Sequence, residues 1–299
     1  MKLYFILLLL SLATIMNAQE QATEEDTSYW SNALKIGTNF TQTSFSDNWT
    51  GGGNNAIALN GFLLGKAYFT KDKITWNNEA DFQYGMVKNE DRSARKTVDK
   101  IMLDSKFGYR VSKKWNTYAS LNYLSQFAKG YKYPEVNGVE VRRQISDFNA
   151  PAFITSSWGL EYCPIDELWV RIGPFSPRIT MVTDTTLYRN IPENYGVPIG
   201  ETVRYEWLAF QATAQYENEI VENVNLKAKY QFFANYEEFE PKKFDHRFDL
   251  FITAKVYKFL NVNFTAAFIY DIDQAEKIQS SQQLGVGLLF TIGSFERFE

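Results

Sequence analysis

Asn225-Leu226-Lys227-Ala228-Lys229-Tyr230-Gln231-Phe232-Phe233-Ala234-Asn235-Tyr236 alternates with a period of two. Leu226, Ala228, Tyr230, Phe232, Ala234 and Tyr236 share one face, and Asn225, Lys227, Lys229, Gln231 and Asn235 share the other. Successive side chains of a strand point to opposite faces, so this is a strand with one apolar and one polar side. Asn261 to Asp271 repeats the pattern, with Val262, Phe264, Ala266, Phe268 and Tyr270 set against Asn261, Asn263, Thr265 and Asp271. Ile74 to Met86 and Ile101 to Val111 do the same. About twelve such segments follow one another, starting near Ala33, Ala56, Ile74, Val98, Trp115, Phe153, Leu168, Arg204, Asn223, His246, Asn261 and Gln283. Each runs ~10 residues or more, the length a tilted membrane-crossing strand needs.

The connections sort by parity. Short ones, such as Thr70-Lys71-Asp72-Lys73, Ser112-Lys113-Lys114 and Lys258-Phe259-Leu260, alternate with longer ones. The long set is Ser44 to Asn55, Asn89 to Thr97, Gly130 to Ala152, Asp184 to Val203, Glu237 to Asp245 and Ile272 to Ser281. Tight turns at one end and long loops at the other are the habit of an outer-membrane barrel. The expected fold is an all-β, up-and-down transmembrane barrel of about 12 antiparallel strands. Gly173-Pro174-Phe175-Ser176-Pro177 interrupts one strand, and proline cannot donate to a ladder, so a bulge is expected there. Such a bulge makes Arg171 and Arg178 candidates for the interior.

Composition agrees. The chain has 299 residues, 16% of them aromatic, with one Cys, one His and a formal charge of -4. Those counts exclude a disulfide scaffold or a His-cluster metal centre, and argue against a nucleic-acid partner. The aromatic excess falls into two belts, expected where rings meet the bilayer interfaces. Phe69, Trp76, Tyr109, Trp115 and Tyr162 lie near the short turns; Tyr84, Phe127, Trp207, Tyr236 and Tyr270 lie near the long loops. At the N-terminus, Met1-Lys2, the apolar run from Leu3 and Ala18 before Gln19 have the form of a signal peptide. The expected organisation is residues 1–18 as a cleaved signal, 19–29 as a short periplasmic leader and 30–299 as the barrel. This predicts the outer membrane of a diderm bacterium, with lipid, lipopolysaccharide and the barrel-assembly machinery as partners. An unidentified envelope protein is a further candidate partner.

Charges of both signs interleave on the polar face: Lys35, Lys66, Glu79, Asp81, Asp104, Lys106, Arg110, Glu161, Arg171, Lys227, Lys229, Asp249, Lys255 and Asp271. In a lumen this predicts a cross-strand ion-pair network that can satisfy itself without water. Other candidates are weaker. Trp49, Gly51, Gly52 and Gly53, in the first long loop, could present an aromatic ring to a partner, although glycines there also serve turn chemistry. Glu237, Glu238, Glu240, Asp271 and Asp273 could hold a divalent cation, although a solvated acidic rim is the simpler reading. His246 shares the apolar face with Phe248 and Leu250, as in an outer-membrane phospholipase-like lipid hydrolase. No Ser stands at two-residue spacing on its strand, and the His-x-Ser-Asn-Gly run of such enzymes is missing. No catalytic residue and no cofactor is therefore assigned.

Several stretches resemble a Bacteroidota envelope family known as domain of unknown function 3078. They include Asn39-Phe40-Thr41-Gln42-Thr43-Ser44-Phe45 with Asn48-Trp49 and Gly51-Gly52-Gly53, then Ile74-Thr75-Trp76-Asn77-Asn78 and Asp104-Ser105-Lys106-Phe107-Gly108-Tyr109. Lys113-Lys114-Trp115, Ser125 to Tyr131, Asp147 to Ala152 and Ser176-Pro177-Arg178 continue the resemblance toward the C-terminus. It implies an envelope address and supplies no catalytic residues. The functional expectation is a narrow or gated channel or a structural barrel with outward interaction loops. The alternatives are the lipid hydrolase and a soluble exported barrel that binds an apolar ligand.

Overall fold

The computed structural model describes residues 29–44, 55–90 and 92–293. Residues 1–28, which hold the expected signal and all but the last residue of the expected leader, and Trp49 with Gly51, Gly52 and Gly53, lie outside the described residues. From Ser31 onward the chain forms one compact unit.

Twelve antiparallel strands close on themselves. They are β1 (Trp30–Thr43), β2 (Ala56–Lys71), β3 (Ile74–Asn89), β4 (Arg95–Arg110), β5 (Trp115–Ser125) and β6 (Ala152–Ile165). β7 (Leu168–Phe175), β8 (Ala209–Val221), β9 (Val224–Asn235), β10 (Asp245–Tyr257), β11 (Leu260–Asp271) and β12 (Ala275–Gly293) complete the wall. Each strand pairs with the next, and β12 returns to β1 from Ala33↔Gly293 to Phe40↔Val286. Closure removes the free edges an open sheet would expose.

The predicted interruption is present. β7 stops at Phe175 and resumes as Arg178–Met181, while β8 is preceded by a short strand, Val203–Glu206. The two short pieces pair with each other, and Arg178–Met181 also pairs with the start of β6. Across the gap Ser176 N–H donates to Ala209 O at 2.8 Å. The Ser176 hydroxyl stands 3.0 Å from Gly173 O and 2.8 Å from Ser157 Oγ, which in turn bonds the Tyr118 hydroxyl at 2.9 Å. A Cβ on Gly173 would stand 2.1 Å from Ser157 Oγ, so this knot of hydroxyls requires glycine there.

One connection differs from expectation. The stretch Ile272 to Ser281 is not a long loop: Asp271 pairs with Ala275 around a tight turn, and β12 occupies the rest. Asp271 makes the turn, accepting from Asp273 N–H at 2.9 Å and from Gln274 Nε2 at 2.6 Å. That local side-chain capping was invisible to a reading based on hydropathy alternation.

Burial is inverted relative to a soluble barrel. Asp81, Lys106, Thr155, Glu161, Thr213, Gln215, Asp249, Asn261 and Asn263 are buried, whereas Ile57, Leu59, Leu103, Phe107, Leu121, Leu284, Val286 and Leu288 are exposed. The polar face points inward and the apolar face points out, as a hydrocarbon surrounding demands. Most of the expected belt aromatics stand outside: Trp76, Tyr109 and Trp115 toward the short turns, and Tyr84, Phe127, Trp207 and Tyr236 toward the loops.

Candidate functional site: a charged lumen under a folded cap

Strand parity aims the charged residues at one another across the lumen. Two groups form in the half of the barrel nearer the short turns. In the first, Lys106 of β4 donates to both oxygens of Glu161 of β6 at 2.6 and 2.7 Å, and Arg171 Nε of β7 donates to Glu161 Oε2 at 2.7 Å. Asn116 adds a bond to Glu161 at 3.1 Å, and Asp104 lies 3.9 Å from Arg171. Glu161 and Lys106 are 1% and 2% exposed, so each is tolerated only because the other is there. Two acids meet two bases on this side of the lumen.

The second group crosses the barrel. Lys66 of β2 reaches Glu217 of β8 at 3.6 Å, although five strands stand between them either way around the wall. In a ring of twelve these strands face each other, so the pair spans the lumen. Lys227 of β9 approaches the same Glu217 at 3.5 Å. Glu79 of β3 accepts from the Tyr68 hydroxyl, and Lys35 and Lys229 line the same space. Nearer the loops the pairs are one to one: Lys100–Asp81 at 2.6 Å, Arg247–Asp249 at 2.7 Å and Arg178–Asp245 at 2.5 Å. Arg178 also lies over the Phe233 ring, 3.3 Å from its centroid. Arg110 and Lys255 stand exposed near the short turns, without an ion pair among the described residues.

Between these groups runs a cavity of about 540 Å³. Its lining extends from Asn223, Lys255, Asn261 and Thr291 at the short-turn end to Arg178, Asp271 and Gln274 at the loop end. Phe62 and Leu64 also face it, an apolar patch that the charge pattern did not announce.

The cap is the feature that sequence reading missed. Ala150, Val182, Leu187, Ile191, Tyr195 and Val197, with Ile145 against them, form a hydrophobic core made by the two longest loops. Spacing of Leu187, Ile191 and Tyr195 by four was the available signal, within a stretch read only as a connection. Tyr195 donates to Ile145 O at 2.5 Å, Asn190 Nδ2 to Gln144 O at 2.8 Å and Gln144 Nε2 to Asp184 at 2.8 Å. Burial pushes the Tyr195 phenol up to about 12. Hydrogen bonds from the Thr186 hydroxyl and N–H, outweighing slight burial, hold the Asp184 carboxyl below its ordinary value. The cap reaches across the mouth. A Cβ on Gly196 would lie 2.6 Å from Asp273 Oδ2 in the β11–β12 turn, and Gly196 holds a φ of +77° that favours glycine.

Three of the acidic rim residues, Glu238, Glu240 and Asp273, are engaged by bases. Arg204 meets Asp273 at 2.6 Å, Glu238 at 3.4 Å and Glu206 at 3.5 Å; Lys243 meets Glu238 and Glu240. Glu237 N–H is bound by Asn235 Oδ1. Among the described residues no three His, Cys, Asp or Glu side chains converge to hold a metal ion. His246 sits on the outer face, its Nδ1 2.7 Å from the Tyr230 hydroxyl, against the rings of Phe232 and Tyr270. No serine hydrogen-bonds it among the described residues, so the structure brings no nucleophile to it.

A closed antiparallel wall, apolar outside and charged within, defines an outer-membrane-type β-barrel. More particularly, residues 40–131 match the family described as "Protein of unknown function (DUF3078)". No curated protein matches the chain. Among solved structures, the translocator domain of the autotransporter NalP from Neisseria meningitidis is similar at 10% identity and a TM-score of 0.36, covering 92% of each chain. The NanC porin follows at 6% identity and a TM-score of 0.39, over 86% of this chain and 98% of that one. OmpT, an outer membrane protein of Vibrio cholerae, is 9% identical with a TM-score of 0.31, over 91% of this chain and 100% of that one.

Proposed function

We propose that this protein is a gated, narrow passage across the outer membrane, exported by its N-terminal signal, and that it is not an enzyme. One observation carries the reading. A cavity lined by charged and amide side chains together with Phe62 and Leu64 follows the lumen from the short-turn end to the loop end, crossed on its way by the Lys66–Glu217 pair. A barrel serving only as a wall or anchor can fill its interior with side chains and has no need of a continuous cavity. The cap closes one end by packing and the cross-lumen pair narrows the middle by charge, so opening requires either to yield. In the plainer structural reading, the same cap is a surface for an envelope partner.

Reconstitution in planar bilayers tests the passage. Wild-type protein should show brief, small openings, and Leu187→Asp, which disrupts the cap core, should lengthen them. Silence from both, with heat-modifiable gel migration proving each folded, would remove the channel and leave the structural barrel. Lipid hydrolysis by wild type that is lost in His246→Ala would instead favour the enzyme.

A further inference from the structure

We infer that the half of the lumen nearer the loops is a binding site for a small, uncharged amphipathic molecule, with an aromatic or aliphatic body and a hydrogen-bonding group. This rests on the passage proposed above and names what would use it. The interior of a membrane barrel is ordinarily polar. Here strand register sets Met102 of β4 beside Leu124 of β5, and Leu124 beside Phe153 of β6. These three share parity with the lumen residues Lys100, Asn122 and Thr155, and all of them line the cavity. Leu64 of β2 stands in the same row beyond Asp81, with Phe62 one step nearer the loops. A Cβ on Gly37 of β1 would lie 2.2 Å from Phe62 Cζ, so glycine there leaves the ring room against the wall.

An apolar strip in a wet lumen carries a cost that grows with its exposed area, and a solute with an apolar body relieves it by covering the strip. The charges beside the strip already hold partners. Lys100 meets Asp81 at 2.6 Å, and Arg178 meets Asp245 at 2.5 Å while lying 5.9 Å from the centroid of the Phe153 ring. An ion entering here would shed hydration against apolar side chains and compete for groups that are engaged, which favours an uncharged solute. The polar handle comes from the opposite wall. In a ring of twelve, β9 faces β3, so Gln231 of β9 lines the cavity across from the strip. Gln231 makes no side-chain hydrogen bond among the described residues, and its amide can both donate and accept. The cavity of about 540 Å³ lies within the range of small-molecule sites, about 300–1,000 Å³.

Coumarin, an uncharged aromatic lactone, is the probe, titrated calorimetrically into the protein in nanodiscs with empty nanodiscs as the blank. Wild type should bind it saturably at one site. Met102→Gln and Leu124→Gln, each shown folded by heat-modifiable migration, should weaken binding about tenfold. Gln231→Leu should weaken it several-fold. Coumarin-3-carboxylate, which adds a charge to the same body, should bind wild type about tenfold more weakly than coumarin does. That comparison needs no variant, so it judges the site even where a substitution fails to fold. Heat no greater than the blank, affinity unchanged in all three variants, or equal binding of the charged analogue overturns the site. Bilayer recordings bear on the passage alone: if wild type is silent there, the passage fails and calorimetry still decides the site.

Discussion

Glu161 shows how much a single lumen side chain can decide. It is 1% exposed and holds both Lys106 and Arg171. Glu161→Gln keeps the shape but strands two buried cations, and breaking such a group by one partner costs about 3–5 kcal/mol. The midpoint of urea unfolding in micelles should fall accordingly, while Lys255→Gln at the exposed rim should leave it nearly unmoved. Gly173 makes the complementary case, where volume is the constraint. Gly173→Ala sets a methyl against the Ser157 and Ser176 hydroxyls, and overpacking of this kind costs about 1–3 kcal/mol. Substituting Ser157 by Ala in the same chain removes the nearest atom and should recover part of the loss. A full loss retained in the double variant would show that Gly173 answers to something other than this contact.

At the scale of elements, the cap is a small soluble fold carried by a membrane barrel. Its core is apolar, whereas the barrel's interior is charged, so the two respond to different conditions. The folded cap keeps Tyr195 neutral to about pH 12, against an ordinary value of 10.0. Below pH 10 both closed and opened caps hold the proton, and nothing changes. Between pH 10 and 12 the opened cap ionises and the closed one does not, so closure loses about 1.4 kcal/mol per unit, or roughly 3 kcal/mol in all. Proteolysis of residues 182–202 should therefore quicken above pH 10 in wild type and lack that step in Tyr195→Phe. The acid limit has the opposite sign. Asp184 is held below its ordinary value by Thr186 and Gln144, so its contribution is present above the ordinary carboxylate range and fades as pH falls through the depressed value. A cap whose proteolysis ignored pH at both ends would contradict this account.

For the whole molecule, the inverted burial predicts a depth profile. Leu103 is exposed on the middle of β4, whereas Ile74 is exposed beside a short turn. Leu103→Arg should destabilise the barrel in lipid by about 2–4 kcal/mol, and Ile74→Arg by about 0–1 kcal/mol, because the penalty falls from midplane to interface. Folding equilibria in liposomes would measure both. Equal effects at the two sites would mean that this face does not meet hydrocarbon, and would return the soluble, ligand-binding barrel to consideration.

Alternation of the kind seen in Leu226 to Tyr236 requires a strand, and it needs no tertiary partner to do so, because side-chain direction is a property of the extended backbone itself. For the same reason the succession of twelve strands and the break within Gly173 to Pro177 were legible from residue order. Two strands, however, start at Ala209 and Ala275 rather than near Arg204 and Gln283, and Lys100, Glu217 and Arg247 were not counted among the facing charges. Which charges meet was not legible. Lys66 and Glu217 are 151 positions apart and touch only because closure sets β2 opposite β8. The cap was hidden for a related reason. Val182, Leu187, Ile191, Tyr195 and Val197 become a core only when the loop from β5 brings Ile145 and Ala150 over them. Local periodicity can mark a face, but distant pairing depends on how the chain closes, and that the tertiary structure alone decided.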